Sequence, residues 1–255
     1  MPNELSVEVL FTPAEFEALH KRDLSETVCV VFDVLRATST MITALANGAE
    51  AILPVSEIAE ALDARRKDPK VLLAGEREGL RIPGNLTGGI DFDLGNSPRE
   101  FTADKVAGKR IVITTTNGTR ALRACAHAQT VLVSSFLNLR ATRNYAQRFL
   151  HLNVLVICSG TFEQSALEDV LAAGALCECL YSTHSNLAYS DSVLMAVNLF
   201  LEAGRDLNSV MSQSRNARRL LSRPELRDDV AFCAQRDIYD FVAEMDKNGI
   251  VSRIG

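Results

Sequence analysis

The chain has 255 residues, 47% of them hydrophobic, and a formal net charge of -5. That much apolar material can bury a substantial core, which excludes wholesale disorder. The acidic balance argues against nucleic acid or an anionic membrane as a partner, but a small anionic ligand stays compatible, because a local site can be basic on an acidic body.

The opening MPNELSVEVLF has no basic segment ahead of an apolar one, so no signal peptide is expected. No apolar run reaches the roughly 18–20 residues of a membrane span, and a cytoplasmic location is the expectation. Three later stretches share one plan of strand, polar turn, helix and strand. They are VCVVFDVLRATSTMITALANGAEAILPV from Val28, KRIVITTTNGTRALRACAHAQTVLVSS from Lys109 and NVLVICSGTFEQSALEDVLAAGALCECL from Asn153. Strands alternating with helices predict an α/β fold of strand-turn-helix units with a layered, largely parallel or mixed sheet. The likeness of the first two stretches suggests an internal duplication. A single two-lobed domain over 1–255 is expected, with lobes near 1–100 and 101–255. Ligands of such sheets bind beyond the carboxyl ends of the strands, where the three polar turns would converge.

In the first turn, Thr38 and Ser39 are placed to cap a helix beginning near Thr40. That leaves Asp33 without a structural duty, and Arg36 suits an anion. The segment Gly75–Glu100 is rich in Gly, Asn and Pro and predicts an irregular, functional or mobile stretch. Within it, Ser97, Pro98 and Glu100 match a capping box, and Asn96 stands free to face a ligand. TTTNGT, Thr114–Thr119, combines hydroxyls with the turn dipeptide Asn117-Gly118 at a helix start. This is either a plain cap or a phosphate cradle built from backbone N–H groups and the helix dipole.

In the third unit, Cys158 ends a strand, as a nucleophilic thiolate could. The spacing of tyrosine phosphatases needs an arginine at position 164, which is Gln164 here. Ser165 and Glu168 match a second capping box, and Asp169 beside them points elsewhere on the helix. DVLRATST lacks the second aspartate of a D-x-D-x-T phosphatase signature, because Leu35 stands there. The six cysteines form no C-x-x-C pair and the four histidines no metal spacing, which speaks against structural zinc. The region 191–239 reads mostly as helix, with the basic stretch SRNARRLLSR.

Together VFDVLRATST, NGAEAILPV, LLAGEREG, FDLGNSP, TTTNGT and CSGTFEQSALEDVLAAG, in this order, resemble the 2-phosphosulfolactate phosphatase family, as does DDVAFCAQRDIYDFV near the C-terminus. The resemblance implies a magnesium-dependent phosphoric monoester hydrolase converting 2-phospho-3-sulfolactate to 3-sulfolactate and phosphate, a step of coenzyme M biosynthesis in methanogens. It implies that Asp33 and Asp169 hold Mg2+, with Glu168 and Glu76 in reserve, and that Asp33, Asp169 and Arg36 act in catalysis. Thr115, Thr116, Asn117, Gly118 and Thr119, with Cys158, Ser159 and Gly160, would bind the substrate. Arg36 and Arg77 would neutralise phosphate or sulfonate, and Asn96 would orient the carboxylate. The alternatives are a non-catalytic binder of a phosphorylated metabolite and a phosphatase for another phosphorylated hydroxy acid. A homodimer is the default among soluble oligomers.

Overall fold

The computed structural model describes residues 5–149, 151–183, 188–204 and 206–254. Among these residues eleven strands build one sheet. They are β1 Ser6–Leu10, β2 Thr27–Phe32, β3 Ala51–Pro54, β4 Leu72–Arg77, β5 Leu80–Arg81, β6 Arg110–Thr114, β7 Thr130–Ser134, β8 Asn153–Cys158, β9 Ala188–Tyr189, β10 Val242–Met245 and β11 Val251–Ile254. Their order is β5-β4-β6-β3-β11-β10-β7-β2-β8-β1-β9. β4, β6 and β3 run parallel, as do β7, β2, β8, β1 and β9. The antiparallel hairpin β10–β11 joins the two blocks. The sheet is therefore mixed and mostly parallel.

The helices are α1 Pro13–Glu17, α2 Ala37–Ala46, α3 Ile58–Lys67, α4 Ala103–Val106, α5 Gly118–Ala124, α6 Leu139–Ala146, α7 Leu167–Thr183, α8 Asp191–Ala203, α9 Leu207–Ser212, α10 Arg215–Leu221 and α11 Asp228–Cys233. No helix among the described residues is long and apolar enough to cross a membrane. Counted outward from the hairpin, β2–α2–β3–α3–β4 and β6–α5–β7–α6–β8 take equivalent positions on opposite sides. The likeness of the first two sequence units thus has a counterpart in the path of the chain.

β2 reads as a continuous apolar run because both of its faces are covered. Val28, Val30 and Phe32 join one core layer with α7 and α8. Cys29 and Val31 join the other, with α2 and α5. β8 divides in the same way, Val154, Val156 and Cys158 against Leu155 and Ile157. A smaller cluster under α3 holds Leu73, Ile82 and Phe92.

Several local expectations change. α2 begins at Ala37, not near Thr40. The Thr38 and Ser39 hydroxyls donate back to the carbonyls of Asp33 and Val34, 2.9 and 2.8 Å away. The segment after Gly75 is not irregular at its start. β4 runs to Arg77 and turns back as β5, pairing Glu76 with Arg81. Ser97 precedes only a three-residue 3-10 turn, Pro98–Glu100, and its side chain caps nothing there. Glu100 accepts the Gly95 N–H instead. The strong helical reading of 191–239 holds from Asp191 to Cys233 as four helices.

Candidate active site

A cavity of about 330 Å³ opens where the exits of β2, β4, β6 and β8 converge. That is the size of a small-molecule site. The β2 and β6 exits lie five strand pairings apart in the sheet, yet they touch. A Cβ placed on Gly118 would lie 2.5 Å from Asp33 Oδ2 and 2.6 Å from the Ala37 Cβ. Neighbouring strands lie roughly 4.8 Å apart, so exits this far apart meet only because the sheet curls across the antiparallel β10–β11 hairpin. Only glycine allows α5 to start this close to the carboxylate.

Asp33 extends from the end of β2. Its Oδ1 accepts the Ala37 N–H at 3.1 Å, fixing the side chain against the first turn of α2. No hydrogen bond reaches Oδ2 among the described residues, and the residue borders the cavity. Part of its surface is open, but dense protein surrounds the carboxyl. Burial raises its pKa to about 7, helped by the nearby Glu76 and Glu168 carboxylates and opposed by the Ala37 N–H and Arg36.

The other acids are differently placed. Glu76, at the end of β4, lines the cavity but spends both oxygens. Oε1 accepts from the Thr116 N–H and hydroxyl at 2.9 and 2.8 Å, and Oε2 from the Gly79 N–H at 2.6 Å. Asp169, 2% exposed, lies beneath the cavity floor and braces two strand exits. Its Oδ1 accepts the Val34 N–H at 2.8 Å and its Oδ2 the Gly160 N–H at 3.0 Å. Burial, and then Asp33, push its pKa well above the carboxylate range. Glu168, 1% exposed, faces an adjoining cavity. Its Oε1 accepts from Asn216 at 2.6 Å rather than from the start of α7, and no hydrogen bond within 3.5 Å reaches its buried Oε2 among the described residues. Burial raises its pKa also.

The hydroxyl-rich turn is largely satisfied within the protein. Thr115 and Thr119 exchange hydrogen bonds across the start of α5, at 3.1–3.4 Å. Asn117 donates to the carbonyls of Ser159 and Phe162 at 3.2 and 2.9 Å, tying the β6 exit to the β8 exit. Thr115, Thr116, Asn117 and Gly160 reach the cavity wall, whereas Cys158, Ser159 and Thr119 are sealed beneath it. Cys158 belongs to the apolar core, and burial holds its thiol well above the usual pKa. This is the reverse of a nucleophilic thiolate's surroundings. Asn96 lines the cavity, and its buried Oδ1 has no partner among the described residues.

Arg36 is 3% exposed and ion-paired with the fully buried Asp229 at 2.7 Å. Its other terminal nitrogen donates to the Gly79 carbonyl at 2.8 Å. Ser97 donates to the second oxygen of Asp229, also at 2.7 Å. Arg77 donates to the Glu76 carbonyl and to the Thr114 hydroxyl, at 2.7 and 3.1 Å. The structure thus brings Asp33, Arg36, Glu76, Arg77 and Asn96 to one cavity.

The family pattern described as 2-phosphosulpholactate phosphatase matches residues 14–248. The chain belongs to that family, one of phosphoric monoester hydrolases. It is 40% identical over 215 residues, 84% of this chain and 88% of the other, to the probable 2-phosphosulfolactate phosphatase of Symbiobacterium thermophilum. The protein of the same name in Pseudothermotoga lettingae is 39% identical over 237 residues, 92% and 94% of the two chains. That of Caldicellulosiruptor saccharolyticus is 37% identical over 235 residues, 91% and 93%.

Sequence reasoning missed the C-terminal wall. Asn216, Arg219, Leu220 and Arg223 line the cavity from α10 and the turn after it. Their spacing of i, i+3, i+4 and i+7 marks one helix face and was readable inside SRNARRLLSR. Asp229 carried no such signal, since its partner Arg36 lies 193 positions away.

Proposed function

We propose that this chain hydrolyses 2-phospho-3-sulfolactate to 3-sulfolactate and phosphate, with magnesium as cofactor. One observation carries the reading. Of the four acids considered for the metal, Asp33 combines a place on the cavity wall with an oxygen that no hydrogen bond reaches. On the same wall Asn96 adds a buried amide oxygen without a partner among the described residues. Two oxygen donors of this kind suit magnesium, which keeps several waters and takes one or two carboxylates with substrate phosphate oxygens. Asp33 and Asn96 would hold it, and when bound it supplies positive charge and polarisation of the phosphoryl group.

The chain's own groups do the rest. A phosphoryl transfer has a loose transition state, so the protein contributes chiefly position and charge neutralisation. Thr115, Thr116 and Asn117 border the cavity beside Asp33 and offer polar groups to a phosphate. Arg36 and Arg77 border the same space and add positive potential. Asp229 and Ser97 hold the Arg36 guanidinium in one orientation. Direct attack by water is favoured over a thiol intermediate, because the Cys158 thiol is sealed and kept protonated. The deciding assay is phosphate release from 2-phospho-3-sulfolactate with magnesium and with excess EDTA. The expected result is release that EDTA abolishes and added magnesium restores. Release untouched by EDTA removes the metal, and no release at all removes the reaction.

A further inference from the structure

Within that phosphatase reading, we propose that Arg219 and Arg223 form a subsite for the two acidic groups of the alcohol portion, and that this pair sets the preference for a doubly anionic leaving group. The cavity is bordered by four arginines, Arg36, Arg77, Arg219 and Arg223. The first two are committed within the protein, Arg36 to Asp229 and the Gly79 carbonyl, Arg77 to Glu76 and Thr114. Arg219 and Arg223 are half-buried, and no hydrogen bond or ion pair of either side chain is found among the described residues. Their neighbours in the same basic stretch are engaged elsewhere. Arg215 donates to Gln164, and Arg218 to the Gln213 carbonyl at 2.8 Å.

Position agrees with this. Measured from where a Gly79 Cβ would stand, the Arg219 Cζ and Nε and the Arg36 Nη2 all lie at 4.0 Å. Two guanidinium groups therefore converge on one point, and Asp229 answers the charge of only one of them. Like charges brought together favour an anion between or beside them. Glu78 is exposed at the rim and pairs with neither arginine. Arg219 and Arg223 stand one helical turn apart, an arrangement that offers two planar donor forks. A fork matches a carboxylate or a sulfonate bidentately. Leu220 and Leu226 border the same wall and suit the short carbon chain between the acids. The substrate class is thus a phosphomonoester of an alcohol bearing two further acid groups.

The test compares Arg219→Gln, Arg223→Gln and the double variant with wild type on 2-phospho-3-sulfolactate and on phenyl phosphate, whose leaving group carries no acid. Each single change is expected to lower kcat/KM for the sulfonate substrate at least tenfold and the double change at least a hundredfold. Phenyl phosphate should change less than threefold, and Arg219→Lys should recover part of the loss. Equal losses on both substrates, or no loss on the sulfonate, overturn the subsite. Calorimetric binding of 3-sulfolactate reads the subsite apart from turnover. Binding weakened at least fivefold by either Gln variant upholds it even in a protein that releases no phosphate, and binding unchanged by both overturns it.

Discussion

The two strand-exit turns that meet at the cavity look alike in sequence and behave differently in the fold. The β6–α5 turn, Thr114–Thr119, is the richer in polar groups, yet its side chains are mostly spent on the protein itself. Thr115 and Thr119 bond each other, Thr116 holds Glu76, and Asn117 holds the β8 exit. The β2–α2 turn has fewer polar atoms near the cavity, but it leaves one carboxylate oxygen of Asp33 unbonded. What marks a site is the polar atom the fold leaves unspent, not the density of polar residues. By the proposed reading the first turn carries the metal-binding carboxylate, and the second supplies rigidity.

Breaking the first turn should have the largest effect. Asp33→Asn keeps the oxygen that accepts the Ala37 N–H and removes the charge. Phosphate release should fall at least a hundredfold at saturating magnesium, roughly 2.7 kcal/mol or more of barrier, with the circular dichroism spectrum retained. Near-normal turnover would take Asp33 out of the chemistry. Next comes Asp229→Ala, which strands the buried Arg36 guanidinium and the Ser97 hydroxyl. Removing one partner of a buried pair costs about 3–5 kcal/mol, so denaturant unfolding should show a large loss of stability. A loss under about 1 kcal/mol would mean that Arg36 escapes to solvent.

The contact between the two turns can itself be broken. Gly118→Ala puts a methyl carbon 2.5 Å from Asp33 Oδ2 and 2.6 Å from the Ala37 Cβ. Either α5 or Asp33 must shift, at about 1–3 kcal/mol of overpacking. Activity should drop more than tenfold, because even a displacement of about 1 Å is costly in a positioned site. Full activity in the alanine variant would show that the turns need not touch.

Much of this was legible beforehand. The apolar runs of β2, β6 and β8 are buried on both faces, so their patterns announce parallel strands and place the polar turns at the carboxyl ends. Asp33, Arg36, Glu76, Arg77 and Asn96 could be read because each sits in or beside such a turn. Local patterns misled where long-range partners prevailed. Ser97 and Glu168 match capping boxes, but Asp229 and Asn216, 132 and 48 positions away, take their side chains instead. Cys158 was expected to touch the substrate because sequence does not tell which face of β8 it joins. Arg219 and Arg223 were visible as charge but not as cavity wall, since nothing in a helix pattern says what it packs against.

A smaller effect concerns the stability cost of the first turn's open carboxyl. Asp33 titrates near 7 in the fold, against 3.8 ordinarily. Its contribution to stability is fully present below about 4, declines as pH rises toward 7 and is lost above that. In EDTA, Asp33→Asn should therefore raise the melting temperature at pH 8, by an amount worth roughly 1–3 kcal/mol after allowance for partial exposure. It should change little at pH 4. An equal shift at both pH values would assign the effect to packing rather than ionisation. No comparable gain is expected in the second turn, which has no ionisable group.

The smallest effect should come from the second turn's most exposed hydroxyl. Thr116 Oγ1 donates to Glu76 Oε1 at 2.8 Å, but the Thr116 N–H donates to the same oxygen at 2.9 Å. Thr116→Ala removes one of two bonds to that oxygen, a loss of about 0.5–1 kcal/mol at most. Phosphate release should change less than threefold. A tenfold or greater loss would mean that this hydroxyl leaves Glu76 for the phosphate when substrate binds. The second turn would then be a participant in the chemistry, and the contrast between the two turns would not extend to the substrate complex.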